Sequence, residues 1–270
     1  MSKDFVYQTQ IPIVDKVERS IARLQAFEPE EGYYLAFSGG KDSIVIEHLA
    51  RAAGVKFDSH YNVTTVDPPE LVRFIKEYYP HVRRDKPEMT MWQLIPKKRM
   101  PPTRIVRYCC DWLKERGGSG RIVVTGIRWA ESNNRSKRRM VERCYTDGTK
   151  QYLHPIIDWS EQDVWKYIHD NNMPYCSLYD EDFHRLGCVM CPMQGPKGMV
   201  RDAERWPKYR DAYVRAFAEM IRVRKERGMS CNWETGEEVM EWWIHSPSKE
   251  KPVEGQQSLF CHDEEESGDD

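Results

Sequence analysis

The sequence predicts an α/β protein built on a doubly wound, mostly parallel sheet, followed by a helical C-terminal segment and a disordered tail. Strand-like and helix-like stretches alternate as far as about residue 171, the pattern of a parallel sheet with crossover helices. The clearest strand runs straight into a Gly-Gly turn and a helix. With 270 residues, 40% of them hydrophobic and 31% charged, the chain is long enough to bury a sizeable core.

Residues 1–31 read as helical, because Ile11, Val14, Val17, Ile21 and Leu24 recur every three or four positions. Tyr33–Phe37 is an apolar run of strand length, and a helix over 43–53 puts Ile44, Val45, Ile46, Leu49 and Ala50 on its apolar side. A strand near 57–65, a helix near 68–79 and a Pro- and Lys-rich stretch at 86–102 follow. Strands are predicted at 121–125 and 151–157 and a helix at 160–171, where Ser160 at the N-cap and Asp163 three positions on form a short-armed capping box. Asp163 is therefore read as a capping residue and not a catalytic one. A long helical stretch runs from Asp202 through Arg227, another helical piece spans 235–245, and 247–270 is polar and acidic. The expected organisation is an N-terminal helical segment (1–30), an α/β domain (31–200), a helical extension (201–246) and the tail (247–270).

A formal net charge of −2 gives no global attraction for nucleic acid, although Arg135–Arg139 is locally basic and Asp263–Asp270 acidic. No apolar run approaches the roughly 20 residues of a membrane span, and the polar start of the chain does not read as a secretory signal. A cytosolic location without membrane association is expected. There the eight cysteines point to metal, redox or catalytic use more than to disulfides, with plain burial open for several.

Phe37-Ser-Gly-Gly-Lys-Asp-Ser43 sits between strand and helix. Two glycines allow a tight turn whose N–H groups converge on an anion, and the helix N-terminus adds its positive end. Ser38, Gly39, Gly40, Lys41, Asp42 and Ser43 are the candidate phosphate-binding residues, with Lys41 and Asp42 assigned catalytic roles. The competing reading is an ordinary Gly-Gly turn. The spacing excludes a Walker A loop.

Cys109 and Cys110 in tandem, and Cys188 and Cys191 as Cys-x-x-Cys, form a second constellation. Four thiolates suit an iron–sulfur cluster or tetrahedral zinc equally well, provided the pairs meet in space. Arg104, Arg107, Arg128 and Arg135 are candidates for gripping a phosphate or sulfate through bidentate forks, against the usual fate of arginine as solvated surface charge.

Taken together, these motifs resemble the PAPS reductase-like PP-loop family over about residues 30–195. Ser-Gly-Gly-Lys-Asp-Ser looks like the loop of members that split ATP between its α and β phosphates. The order of loop, Cys-Cys and Cys-x-x-Cys resembles that of the assimilatory adenylyl-sulfate reductases and of DndC-like proteins of DNA phosphorothioation, which implies a [4Fe–4S] cluster, with zinc as the alternative. Thr125-Gly-Ile-Arg-Trp-Ala-Glu-Ser132 with Arg135 is similar to a family segment facing the nucleotide, implying nucleotide-binding roles for Gly126, Arg128, Glu131, Ser132 and Arg135. Asp67 occupies the place of the family's loop aspartate. Arg107 and Lys114 match basic positions flanking the cysteines and, with Arg104, are expected to bind substrate. Asp158–Trp165 resembles a family helix start.

The reductases' Glu-Cys-Gly-Leu-His-like segment is not found; Cys231 and Cys261 stand in other contexts. The favoured expectation is therefore ATP-dependent adenylylation, with Mg²⁺, coupled to cluster-assisted sulfur transfer, with a nucleic acid among the acceptors. The alternatives are a reductase of adenylyl sulfate or PAPS, and a nucleotide-sensing binding module. Cys176 is read as a buried structural cysteine before a sulfur relay; Cys144 has no assigned role. Gln256-Gln-Ser-Leu-Phe260 resembles the short peptide by which bacterial proteins dock on the DNA sliding clamp.

Overall fold

A computed structural model describes residues 13–145 and 147–245. Residues 1–12, the tail, Cys261 and the clamp-like peptide Gln256–Phe260 lie outside the described residues. In chain order the first elements are α1 (Ile13–Ala26), β1 (Tyr33–Ala36), α2 (Lys41–Ala52), β2 (Phe57–Asn62), α3 (Pro69–Tyr78) and β3 (Arg83–Asp85). Then come α4 (Met91–Lys98), α5 (Tyr108–Leu113), β4 (Ile122–Val124), β5 (Val141–Arg143), β6 (Gln151–Leu153) and α6 (Glu161–Asp170). The last are α7 (Gly195–Arg205), α8 (Pro207–Glu226) and α9 (Gly236–His245). No helix among the described residues is long and apolar enough to cross a membrane.

The described residues divide into two compact units, one of residues up to Met91 together with Tyr108–Val189, the other of Trp92–Arg107 together with the residues from Met190 onward. The division at 189/190 does not coincide with the expected boundary near 200.

The first unit holds the predicted α/β sheet, in the order β3-β2-β1-β4-β6-β5. All neighbours are parallel except β5, which runs antiparallel to β6 at the edge. β1 is central and its Tyr33 and Leu35 are fully buried, as are Val124 of β4 and Leu153 of β6. The chain leaves β1 toward β2 on one side, and β4 lies on the other. The crevice where strand order reverses is therefore at the carboxyl ends of β1 and β4, the usual ligand position in such sheets. α1 is fastened beside it: Arg23 forks onto Asp158 at 2.8 and 2.9 Å, and buried Trp159 donates its Nε1–H to Ser20 Oγ at 3.1 Å.

The second unit is helical. Gly236 allows α9 to lie against α8, since a Cβ there would come within 2.2 Å of the Val214 carbonyl. Trp243 of α9 packs on Tyr213 and Phe217, with ring centroids 4.8 and 5.3 Å away.

Several elements differ from expectation, each for a local reason. The helix expected from Asp202 to Arg227 is two helices, starts at Gly195 and breaks at Trp206, because Pro207 lacks an N–H and drives the preceding residue out of the helical region (φ −128°, ψ 67°). The strand expected over 151–157 stops at Leu153, two residues before Pro155. The Pro- and Lys-rich stretch contains α4, which accommodates Pro96 in its last turn. Edge strands β3 and β5 span three residues each, too short to register as a period-two pattern. The helix expected from Ser43 begins at Lys41, which puts Lys41 and Asp42 in its first turn.

Candidate functional site: the phosphate loop and the cysteine region

The turn after β1 is shaped by its glycines. Gly39 has φ +72°, and a Cβ there would come within 2.7 Å of Ile75 and Leu71 of α3, so the position strongly favours glycine. Gly40 is the extended N-cap of α2, and its carbonyl accepts from the Ser43 and Ile44 N–H groups at 2.9 and 3.1 Å. Ser43 Oγ donates to the same carbonyl at 2.8 Å, and Ser38 Oγ lies 3.2 Å from Ser43 Oγ. The N–H groups at the start of α2 have no partner within the helix, and Lys41 is the first residue to present one.

Lys41 is buried, with its side chain 5% exposed. Its ammonium donates to the His184 carbonyl at 2.9 Å and lies 3.5 Å from Glu161 and 4.0 Å from Asp42. Asp42 turns the other way, to a 2.6 Å bond from Arg128 Nε. Arg128 is 3% exposed, which sets aside the solvated-surface reading for this residue. Burial pushes the Asp42 carboxyl above its ordinary range, against the opposing pull of Arg128 and Lys41.

Arg128 arrives from the turn after β4, β1's parallel neighbour. Gly126 makes the approach possible, because a Cβ there would fall 2.8 Å from the Asp42 Cβ. Glu131 holds the turn closed, accepting from the Arg128 N–H at 3.0 Å through one carboxylate oxygen and from the Arg135 guanidinium through the other. Ser132 Oγ accepts from the Arg135 N–H at 3.3 Å. Hydrogen bonds and ion pairs thus join the Ser38–Ser43 loop with Arg128, Glu131, Ser132 and Arg135 across the carboxyl ends of β1 and β4, with Gly126 allowing the close approach. Within it Glu131 and Ser132 order the loop that carries the arginines.

Asp67, in the loop after β2, is buried and accepts from Tyr61 Oη at 2.5 Å and from the Thr64 N–H at 3.1 Å. The same loop is tied to the second cysteine motif, where the Val189 N–H donates to the Val66 carbonyl at 2.8 Å. Lys114 spans the two motifs. Its ammonium hydrogen-bonds Cys188, and the negative character of Cys188 first, then of Asp67 and Cys110, holds it above the usual lysine range against the effect of burial. Lys114 nevertheless keeps contact with solvent, as do Cys109, Cys110 and Cys188 in part. Lys114 thus bonds a cysteine of one motif and stands within electrostatic reach of a cysteine of the other.

The donor chemistry of these cysteines fits a thiophilic metal group. Among the described residues, however, no three His, Cys, Asp or Glu side chains are arranged to hold a metal ion. Cys191 lies in the second unit, in a turn whose Met190 N–H is anchored on buried Asp202 at 2.8 Å. Arg104 and Arg107 also belong to the second unit and are exposed. Asp163 caps α6, accepting from the Ser160 N–H at 2.7 Å and pairing with Lys16 at 2.5 Å. Cys176 is 1% exposed.

Four residues at the site have no role assigned from sequence. Tyr179, His184 and Glu161 come to Lys41 from beyond β6, with Tyr179 Oη accepting from the Lys41 N–H at 2.8 Å. His154, fully buried at the end of β6, shares a 2.7 Å bond with Thr125 through Nδ1, while its Nε2 has no partner among the described residues. Burial first, and then Arg138, lower its pKa to about 4. A signal for His154 was present, a histidine at a strand end before proline, and Glu161 stood within the Asp158–Trp165 motif; for Tyr179 and His184 only tertiary structure supplies one.

The family model for the phosphoadenosine phosphosulfate reductase domain matches residues 32–194. The chain is 28% identical over 202 residues to an uncharacterised protein of Methanocaldococcus jannaschii, an alignment covering 68% of this chain and 42% of that one. It is also 28% identical over 192 residues to a protein of Oceanobacillus iheyensis named adenosine 5'-phosphosulfate reductase, covering 64% of this chain and 76% of that one. The chain thus spans less than half the length of the M. jannaschii relative. Its fold is that of the phosphoadenylyl-sulfate reductase of Candida auris, solved as a phosphate complex, with a TM-score of 0.50, 18% identity and coverage of 69% of this chain and 98% of that one. The chain belongs to the phosphoadenosine phosphosulfate reductase family.

Proposed function

We propose that this member of the phosphoadenosine phosphosulfate reductase family binds ATP on the Ser38–Ser43 loop and activates an acceptor by adenylylation, in preparation for sulfur transfer. The observation that carries the reading is the loop network itself, which sets Lys41, the α2 N-terminus and Arg128 at the carboxyl ends of adjacent strands. An acceptor oxygen would attack the α-phosphorus, and the bond from that phosphorus to the bridging oxygen would break, releasing pyrophosphate. The Lys41 ammonium and the first N–H groups of α2 supply fixed positive potential where pyrophosphate gathers charge. Asp42, paired with Arg128, holds the guanidinium in place beside the loop. A hydrosulfide-level donor would then displace AMP from the acceptor.

Cys109, Cys110, Cys188 and Cys191 are proposed to hold a [4Fe–4S] cluster, which when bound supplies thiophilic iron for handling sulfur. Lys114 would balance part of the charge of the ligating thiolates. A nucleic acid is the proposed acceptor class, on account of Lys137 and Arg139, which are exposed in the basic Arg135–Arg139 segment. The Gln256–Phe260 peptide is proposed to bring the enzyme to a sliding clamp.

A second reading, reduction of adenylyl sulfate or PAPS to sulfite, is favoured by the names of the relatives. The Ser-Gly-Gly-Lys-Asp-Ser loop and the contexts of Cys231 and Cys261 favour the first. The deciding experiment is ATP–pyrophosphate exchange on anaerobically purified protein, run beside sulfite release from adenylyl sulfate and PAPS with a thiol donor. We expect exchange, reduced about 10²- to 10³-fold in Lys41→Ala. Sulfite release without exchange would replace the first reading by the second. Iron and sulfide analysis of the same sample should give a loaded protein whose iron is lost in Cys188→Ser and kept in Cys176→Ser; an iron-free sample ends the cluster proposal.

A further inference from the structure

Lys41 carries two donors that a phosphoryl group on this loop would use, its N–H at the head of α2 and its ammonium. The protein occupies the N–H and one of the three hydrogens of the ammonium, which also faces the Glu161 carboxylate at 3.5 Å. The N–H donates to Tyr179 Oη at 2.8 Å, and the ammonium donates to the His184 carbonyl at 2.9 Å. The tyrosine oxygen lies over the loop, since a Cβ on Gly40 would come within 3.4 Å of it. The Lys41 ammonium also stands 5.4 Å from the centre of the Tyr179 ring.

Both occupants come from one short segment of the first unit. Leu178 and Phe183 fasten it to the core, at 0% and 7% exposure. Tyr179 is only half-buried, and His184 is exposed. Asp182, between them, sits in the left-handed region at φ +62°. The anchors can thus stay in place while Tyr179 and the backbone at His184 change partners. Burial keeps the Tyr179 phenol protonated, so its oxygen is a neutral acceptor, as the His184 carbonyl is. Charged phosphoryl oxygens accept roughly twice as strongly as neutral ones, so an exchange of occupants favours the ligand.

We infer that residues 179–184 are an internal stand-in for the nucleotide's phosphates: Tyr179 Oη and the His184 carbonyl hold the anion seat of the loop, and an incoming pyrophosphoryl group takes that seat by displacing them. The inference rests on the nucleotide-binding reading above and adds a competitor built into the chain. It makes Tyr179 a residue that sets phosphate affinity by opposing it. Trp165 provides the reporter, because its ring meets that of Tyr179 edge-on with centroids 5.0 Å apart.

The test is titration of the full chain with inorganic pyrophosphate and with ATP, followed by calorimetry and by tryptophan emission, for the wild type, Tyr179→Phe, Tyr179→Leu and Trp165→Phe. Loss of one competing hydrogen bond should tighten pyrophosphate binding by about 3- to 10-fold in both Tyr179 variants. Emission should change on binding in the wild type, and that change should be lost in Trp165→Phe although the ligand still binds. Unchanged or weaker binding in both Tyr179 variants, with normal wild-type affinity, overturns the inference and leaves the nucleotide reading standing. No binding of either ligand by the wild type overturns both.

Discussion

The phosphate loop and the surroundings of Cys110, Lys114 and Cys188 belong to the same unit, yet they are assembled on opposite plans. The loop is contiguous: Ser38–Ser43 fold on themselves around the Gly40 carbonyl, and one tertiary ion pair, Asp42 with Arg128, ties them to the next strand. The cysteine region has no such local core. Cys110 and Cys188 come from distant stretches; Lys114 hydrogen-bonds Cys188 and feels the charge of Cys110, while the bond from Val189 to Val66 fastens the second motif. The cations differ as well. Lys41 and Arg128 are buried against carboxylates, whereas Lys114 remains in contact with solvent. The loop side is therefore expected to govern stability, and the cysteine side to tolerate change in its cation.

The largest effect that would sharpen this contrast is at Arg128. Arg128→Ala strands Asp42 beside a buried network and should destabilise the protein by about 3–5 kcal/mol in urea unfolding. A loss below about 1 kcal/mol would mean that water satisfies Asp42, through the 25% of its side chain that is exposed, and would break the contrast.

A second effect is acid sensitivity on the loop side. His154, beside Thr125 at the end of β6, has its pKa lowered from 6.5 to about 4 by burial. The unfolded chain then binds the proton first, so the stability contributed by neutral His154 is complete above pH 6.5 and falls as the pH drops toward 4. The loss reaches about 3 kcal/mol. Unfolding free energies for the wild type and His154→Asn should converge over that window; parallel curves would show that His154 is not held neutral.

The smallest effect is expected at Lys114. Lys114→Gln removes a solvent-accessible cation and should change stability by no more than about 1 kcal/mol. A loss comparable to that of Arg128→Ala would show the cysteine region to be as integral to the fold as the loop.

Much of the loop side was legible because its determinants are neighbours in sequence. The strand Tyr33–Ala36, the two glycines and the α2 pattern are local, and so is the Ser160–Asp163 cap. Arg128 was visible as a candidate only through its motif; its burial against Asp42 depends on β1 and β4 being adjacent, which no local pattern encodes. The short edge strands and the break at Pro207 show the limits of periodicity. Three residues carry no period, and one proline outweighs a helical run.

By itself, the sequence determined that a Gly-Gly turn joins a buried strand to a helix, that two cysteine motifs stand far apart, and that strands alternate with helices, since each of these rests on adjacent residues and backbone preference. Only tertiary structure decided that Gly126 lets Arg128 reach Asp42, that Lys114 bonds Cys188, and that Tyr179 and His184 accept hydrogen bonds from Lys41. Those contacts join residues distant in sequence, and their partners are selected by strand order and close packing, which act between segments and not along them.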